Sequence, residues 1–292
     1  PKRFEDIVAL VALIRPGPLG AGMHNEFADR ANNRKEIEYL HNDLESILNE
    51  TYGVILYQEQ VMQIAEKIAG FNLQEADNLR VAMGKKIPKV MEEQRKKFTD
   101  GAVSNNYSEQ FAIELFDQIA YFAGYGFNKS HSVPYALLAY QTAYLKANYP
   151  AEYIAACLTA VKRDKDRTAI FLSEARDMGV KVSTPDINLS SSDFTVNDNE
   201  ILFGLSAVRN VGDITADKIV LERESNGHFE SIEDFLSRID SRSLNKRGVE
   251  ALIQGGGLDK FGLTRKGMFD SAIELIENAK ELKANKENNQ GS

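Results

Sequence analysis

The chain has one cysteine, four histidines and no long apolar run. A single cysteine, Cys157, excludes an internal disulfide. Its setting, Ile154-Ala155-Ala156-Cys157-Leu158, suits packing better than a reactive thiol. Few and scattered histidines leave no zinc-ligand spacing. No stretch reaches the length of a membrane span. The first residues, Pro-Lys-Arg-Phe-Glu-Asp, carry neither an initiator methionine nor a secretory signal, and the expectation is a chain cut from a longer one. Positive charge is also short. The formal net charge is −8, which taken alone argues against nucleic acid, because phosphate neutralisation needs lysine and arginine.

What is present supports a soluble, helical protein. A hydrophobic content of 43% over 292 residues suffices for a well-buried core in one large or two moderate domains. The acidic average hides a local excess. Arg80, Lys85, Lys86, Lys89, Arg95, Lys96 and Lys97 face only Glu92 and Glu93 in that interval. Such a run fits a solvated helix face as well as an anion site.

Apolar residues recur at helical spacing over most of the first 178 positions. Helices are predicted over 5–14, 43–48, 54–69, 73–83, 88–101 and 109–121. A further helix holds Pro134 in its first turn and ends at Pro150; others cover 151–159 and 166–178. Residues 20–36 read as irregular. After Gly179 the pattern changes. Residues 180–182, 194–196 and 201–203 alternate as short strands of a small antiparallel element. Helices return over 208–224, 232–239, 246–254 and 265–280. The fold class is therefore mainly α: a multi-helix domain over 1–185, then short strands and helical hairpins over 186–283. The polar end, 284–292, reads as a disordered tail.

Two stretches carry chemistry. In Gly124-Tyr125-Gly126-Phe127-Asn128-Lys129-Ser130-His131-Ser132 two glycines free the backbone just before a helix. Amides at a helix start face negative charge, Lys129 and His131 add donors, and the Tyr125 ring suits stacking on a base or sugar. Tyr125 equally fits a core aromatic, and His131 a structural role. The second stretch is Leu205 to Ile219, whose turn, Asn210-Val211-Gly212-Asp213-Ile214, has the form of a helix-hairpin-helix. Such a turn aims consecutive amides at a DNA phosphate, a contact that positions without reading sequence. Asn210 stands where glycine is usual, and asparagine tolerates the left-handed backbone. A plain packing hairpin is the alternative.

The wording of these stretches resembles a known family. GYGFNKSHS running into YALLAYQTAYLKANYPAEY is similar to the fingers domain of the C-family replicative polymerase, the bacterial DNA polymerase III alpha subunit. So are Ile14 to Leu19, Tyr52 to Met62, Leu79 to Lys86, Pro185 to Asn188 and the hairpin, in order, with Leu252 to Asp259 behind it. The resemblance implies a part of a DNA-directed DNA polymerase, fingers plus helix-hairpin-helix, in the cytoplasm. Its partners would be template-primer DNA, deoxynucleoside triphosphate, the sliding clamp and other replisome subunits, with no membrane. Arg80, Lys85, Lys86, Tyr125, Asn128, Lys129 and His131 would contact nucleotide, and Asn210 to Ile214 would contact DNA. The family often carries a second arginine beside the first; Val81 stands there instead. Arg15 fits either a structural or a DNA-facing role. Gln58 and Glu59 read most simply as polar residues on an amphipathic helix.

The resemblance also implies a gap. Polymerase chemistry uses Mg²⁺ held by carboxylates, which the family carries in a palm domain that this stretch does not contain. Asp164-Lys165-Asp166 has the spacing but sits in a charged linker. Nucleotide and template contacts, without metal chemistry, are therefore expected. Gln290-Gly291-Ser292 fits the opening of a clamp-binding peptide, or an ordinary polar tail. Three rivals remain. A stand-alone helix-hairpin-helix DNA-binding module would not need residues 1–180. An unrelated phosphate-binding enzyme would need its own converging acid, base or metal ligands. A scaffold would bind no nucleotide.

Overall fold

Proline and glycine punctuate the chain, and the helices follow that punctuation. A computed structural model describes residues 1–85, 87–240 and 242–289. It is mainly α-helical, with one two-stranded antiparallel sheet among the described residues. The chain forms two compact units, residues 1–141 and 142–292, divided inside a helix.

In the first unit, α1 (Phe4–Leu13) ends where Arg15-Pro16 turns the chain into α2 (Pro16–Gly20). Residues 20–36 are not irregular throughout: α3 (Met23–Ala31) crosses them. Met23 and Phe27, four apart, form a narrow apolar stripe that the polar composition hides. Short turns and α4 (Glu45–Leu48) follow. The helix expected from 54 begins only at Gln58. Val54, Ile55, Leu56 and Tyr57 are all buried, so this run is extended and enclosed on both sides. Then come α5 (Gln58–Ala69), α6 (Leu73–Lys85), α7 (Pro88–Ser104) and α8 (Glu109–Ala123).

One core joins α5 to α8 through Ile64, Leu79, Phe98 and Phe116. A second joins α1, α3 and the extended run through Leu13, Phe27 and Tyr57. The first core depends on a close approach of α7 to the end of α5. A Cβ on Gly101 would lie 2.2 Å from the Ala69 carbonyl oxygen. Gly101→Ala should therefore cost about 1–3 kcal/mol of stability or more, read as a lower urea midpoint. An unchanged midpoint would mean the helices part freely.

The helix after the signature stretch, α9 (Lys129–Asn148), starts earlier than expected, so Pro134 lies in its second turn rather than its first. The cause is Asn128, whose Oδ1 accepts the His131 N–H at 2.9 Å and caps the helix there.

The second unit contains α10 (Pro150–Val161) and α11 (Lys165–Asp177), closed by Gly179 at φ 71°. Strands β1 (Thr195–Asn197) and β2 (Glu200–Leu202) pair antiparallel, Val196 opposite Ile201. Asp198 and Asn199 both take positive φ, as a two-residue hairpin loop requires. Of the strand expected over 180–182 only a single bridge forms, Val182 to Ile201, and it is parallel.

Next come α12 (Asp213–Asn226), α13 (Ile232–Arg238) and α14 (Lys246–Gly255). The expected helix 265–280 is two, α15 (Arg265–Asp270) and α16 (Ala272–Asn289). The second of these takes in residues 284–289 of the expected tail, whereas Gln290, Gly291 and Ser292 lie outside the described residues. The core of these helices holds Ile219, Phe235, Leu252 and Leu258.

Candidate functional site

The buried run 54–57 positions the signature stretch. Its last residues lie alongside Phe127: the Phe127 N–H donates to the Leu56 carbonyl at 3.1 Å, and the Gln58 N–H donates to the Phe127 carbonyl at 3.0 Å. Side chains tie the same loop from two other directions. Gln58 Nε2 donates to the Gly126 carbonyl at 3.4 Å, and Gln58 Oε1 accepts from Arg80 Nη1 at 3.4 Å. Arg15 Nη2 donates to the Tyr125 carbonyl at 2.6 Å, Nε to the Ala12 carbonyl at 2.7 Å, and the guanidinium lies 4.4 Å over the Phe127 ring. Burial lowers the Arg15 pKa, yet a guanidinium stays charged. Tyr125 is half-buried and its ring rests on Gly17, where a Cβ would come within 2.7 Å of Cδ1. Residues 15, 17, 58, 80 and 125–127 thus form one cluster.

The amides at the start of α9 already meet negative charge from within the chain. The Lys129 N–H lies 3.0 Å from both Glu59 carboxylate oxygens. Lys129 Nζ pairs with Glu50 Oε2 at 2.7 Å. These groups line a small cavity of about 150 Å³ with Tyr57 and Gln60. The Tyr57 hydroxyl and Glu50 Oε1 are buried there without a hydrogen-bond partner among the described residues. Burial, with Glu50, Glu59 and Glu5 adding to it, raises the Tyr57 pKa strongly.

The expected phosphate ligands differ in how they are held. Arg80 pairs with Asp77 at 2.8 Å and is about one-third exposed. Lys85 is exposed and makes no ion pair among the described residues; Lys86 lies outside them. The His131 imidazole is exposed between two rings, with centroids 5.6 Å to Phe127 and 4.8 Å to Tyr135. Its ring nitrogens have no partner among the described residues. Arg80 and Lys129 would have to exchange carboxylates for phosphate, whereas Lys85 and His131 would not.

Gln58, Glu59 and Gln60 were not legible as site residues. The usable signal was Tyr57-x-x-Gln60 ahead of an apolar run: Gln60 Oε1 accepts the Tyr57 N–H at 2.9 Å, the N3 half of a capping box.

In the hairpin, Asn210 takes the left-handed φ of 62° that the turn needs, and the Val211 N–H donates to the Val208 carbonyl at 3.0 Å. Val211 is buried, while Asn210, Gly212 and Ile214 are exposed. Gly212 is the N-cap of α12 at φ −82°, and a Cβ there would meet nothing within 4 Å. Asp213 puts a carboxylate in the first turn. Lys162 Nζ holds it at 2.5 Å, and Arg163 pairs with it as well. The hydrogen bonds from Lys162 and Arg163 keep its pKa below the usual carboxylate range. Lys162 also reaches Asp193 at 2.5 Å and the Ser206 hydroxyl at 2.9 Å, which fixes the hairpin to the end of α10.

Asp164 is spent on local structure: its Oδ1 accepts the Arg167 N–H at 3.1 Å and caps α11. Among the described residues no three His, Cys, Asp or Glu side chains converge as metal donors. Nor is any described helix long and apolar enough to cross a membrane.

Two families match this chain. Residues 1–106 match the bacterial DNA polymerase III alpha subunit finger domain, and residues 179–287 match a helix-hairpin-helix motif. Similar proteins include the DNA polymerase III subunit alpha of Campylobacter jejuni, 46% identical over 286 residues, which cover 97% of this chain and 24% of that one. The Mycobacterium tuberculosis protein of that name is 45% identical over 291 residues, 97% of this chain and 25% of its own. The Escherichia coli K12 protein of that name is 45% identical over 285 residues, 96% and 25% respectively. The chain spans about a quarter of the length of these relatives.

Proposed function

This chain belongs to the bacterial DNA polymerase III alpha subunit family, as a finger and helix-hairpin-helix segment; from that premise we propose that it supplies the incoming nucleotide and template-primer contacts of a replicative DNA polymerase. The longer enzyme would extend a primer by nucleotidyl transfer from deoxynucleoside triphosphates. The observation that carries this reading is the joining of Arg80, through Gln58, to the loop Gly124–Phe127 that leads into Asn128, Lys129 and His131. Guanidinium and imidazole donors around one loop suit a triphosphate. Lys85, exposed at the end of α6, adds a point charge. Phosphate reaching the α9 amides must displace Glu59, so nucleotide arrival and a shift of the loop would be coupled. The decisive test is primer extension by the complete polymerase with substitutions at Arg80 and His131.

Among the described residues no three histidine, cysteine or carboxylate side chains converge as metal donors, and no catalytic step is assigned to this chain. The purified chain with Mg²⁺ is expected to extend no primer; extension free of contaminating polymerase would overturn the assignment of the metal carboxylates elsewhere.

The hairpin would hold duplex DNA through backbone amides near Gly212. Such binding is independent of sequence and weakens with salt. Gly212→Val is a clean probe because the glycine has ordinary φ and open space above it. The variant should lose only the modest stability that valine costs at an N-cap, stay folded, and lose duplex affinity at low salt, because the branched side chain blocks close approach. Equal affinity would assign the hairpin to packing. The Asp213 carboxylate, neutralised by Lys162 and Arg163, explains how an acidic first turn tolerates a phosphate nearby.

A further inference from the structure

The second unit contains a cleft of about 830 Å³ between α11, residues 180–185, α14 and the hairpin turn. Its apolar wall holds Leu172, Val180, Val182, Val208 and Ala251, with Phe203 as its one aromatic ring; Lys181 and Glu250 also line it, paired with Glu200 and Lys246. Three arginines also line it: Arg176 from α11, Arg209 from the turn and Arg247 from α14. All three are exposed, and none forms an ion pair or side-chain hydrogen bond among the described residues. In a chain where 43 acidic residues outnumber 35 basic ones, three unpaired guanidiniums around one hollow are a charge left for something else. Other arginines of this unit are held: Arg238 by Glu222 at 2.8 Å, Arg265 by Asp259, and Arg223 by the Ile187 and Ser190 carbonyls.

We propose that this cleft binds an acidic peptide segment that carries aliphatic side chains. The volume falls within that of ordinary ligand pockets, about 300–1,000 Å³. Arginine forks match carboxylates, and buried apolar anchors beside arginine are the usual energetic centre of a protein interface. Charge complementarity selects an anionic partner. The lining separates the two anionic classes. Bases of a single strand bind by stacking on aromatic faces, but Phe203 is partly buried and packs against Phe194 with centroids 4.7 Å apart. Aliphatic walls receive leucine, isoleucine or valine instead. Arg209 adjoins the turn to which the hairpin reading assigns duplex DNA, so the cleft and that reading share one edge, and the test must separate the two.

The test is selection of random decapeptides displayed on phage against the immobilised 292-residue chain. Enriched sequences should carry net negative charge and at least two aliphatic residues. A selected peptide, labelled and followed by fluorescence anisotropy, should bind at least tenfold more weakly to the triple variant R176E/R209E/R247E. It should also bind more weakly to Ala251→Trp, which fills the cleft without changing charge. Circular dichroism confirms that both variants fold. Enrichment without acidic bias, or equal binding to both folded variants, would overturn the proposal. So would an oligothymidylate or a duplex oligonucleotide that displaces the peptide and shows the same dependence on all three arginines, since either would give the cleft to nucleic acid.

Discussion

Arg80→Ala and His131→Ala, each in the complete polymerase, are expected to raise the nucleotide concentration for half-maximal primer extension about ten- to a hundredfold. The DNA requirement should change less. The magnitude follows from one charge-assisted hydrogen bond to phosphate, worth about 1.5–3 kcal/mol. Arg80 is oriented toward the loop but starts paired, so phosphate would have to displace or share its carboxylate. Asp77 fixes the guanidinium at 2.8 Å, and Gln58 accepts from Nη1 at the loop side. Arg80→Lys keeps the charge but not the fork, and should fall between the parent and the alanine variant. Gln58→Ala separates two explanations. It leaves the arginine charge in place and removes the tie to the Gly126 carbonyl. If Arg80 acts only by positioning the loop, Gln58→Ala will reproduce its effect; if Arg80 binds phosphate, the glutamine variant will be milder. Unchanged nucleotide dependence in both Arg80→Ala and His131→Ala would return these residues to structural roles. Lys85→Ala should act in the same direction with a smaller change, because a single exposed ammonium is screened.

Helices were legible in the sequence wherever an apolar stripe and a breaker agreed, as in α5 ending at Gly70 and α7 opening at Pro88. The misses have separate causes. In α3 only Met23 and Phe27 are buried, too few apolar positions to stand out. The run Val54 to Tyr57 is apolar without alternation because it is enclosed on both sides, and periodicity cannot tell such a strand from a helix.

At the candidate site the same asymmetry holds. The signature residues were legible because chemistry-bearing types crowd together. The residues that hold them were not, because their partners are remote in sequence. Glu59 reaches the Lys129 amide and Gln58 the Gly126 carbonyl across about 70 positions. Nothing near either residue in the sequence announces those contacts.

Gln60 extends this to stability, and Gln60→Ala is expected to destabilise the chain by about 3–5 kcal/mol. The side chain is buried. Its Oε1 accepts the N–H groups of Leu56 and Tyr57, both at 2.9 Å, and its Nε2 donates to the Thr51 hydroxyl at 2.8 Å and the Ile47 carbonyl at 3.3 Å. Truncation strands two buried amides at about 1–3 kcal/mol each and leaves a cavity besides. The Thr51 hydroxyl also donates to the Val54 carbonyl at 2.6 Å, so the whole run 51–57 is tied to the first turn of α5. That run carries the backbone pairing to Phe127. Loosening it should therefore reach the proposed nucleotide site as well. Gln60→Met keeps the volume and loses every hydrogen bond, which separates the polar loss from the cavity. Urea unfolding of the three chains gives the stabilities. Primer extension by the complete polymerase with Gln60→Met, at a temperature where it stays folded, gives the coupling. A large loss of stability with unchanged nucleotide dependence would show that the loop keeps its geometry without this glutamine. A loss of stability below about 1 kcal/mol in Gln60→Ala would mean that water satisfies the two amides, and that the run 54–57 is held by its apolar side chains alone.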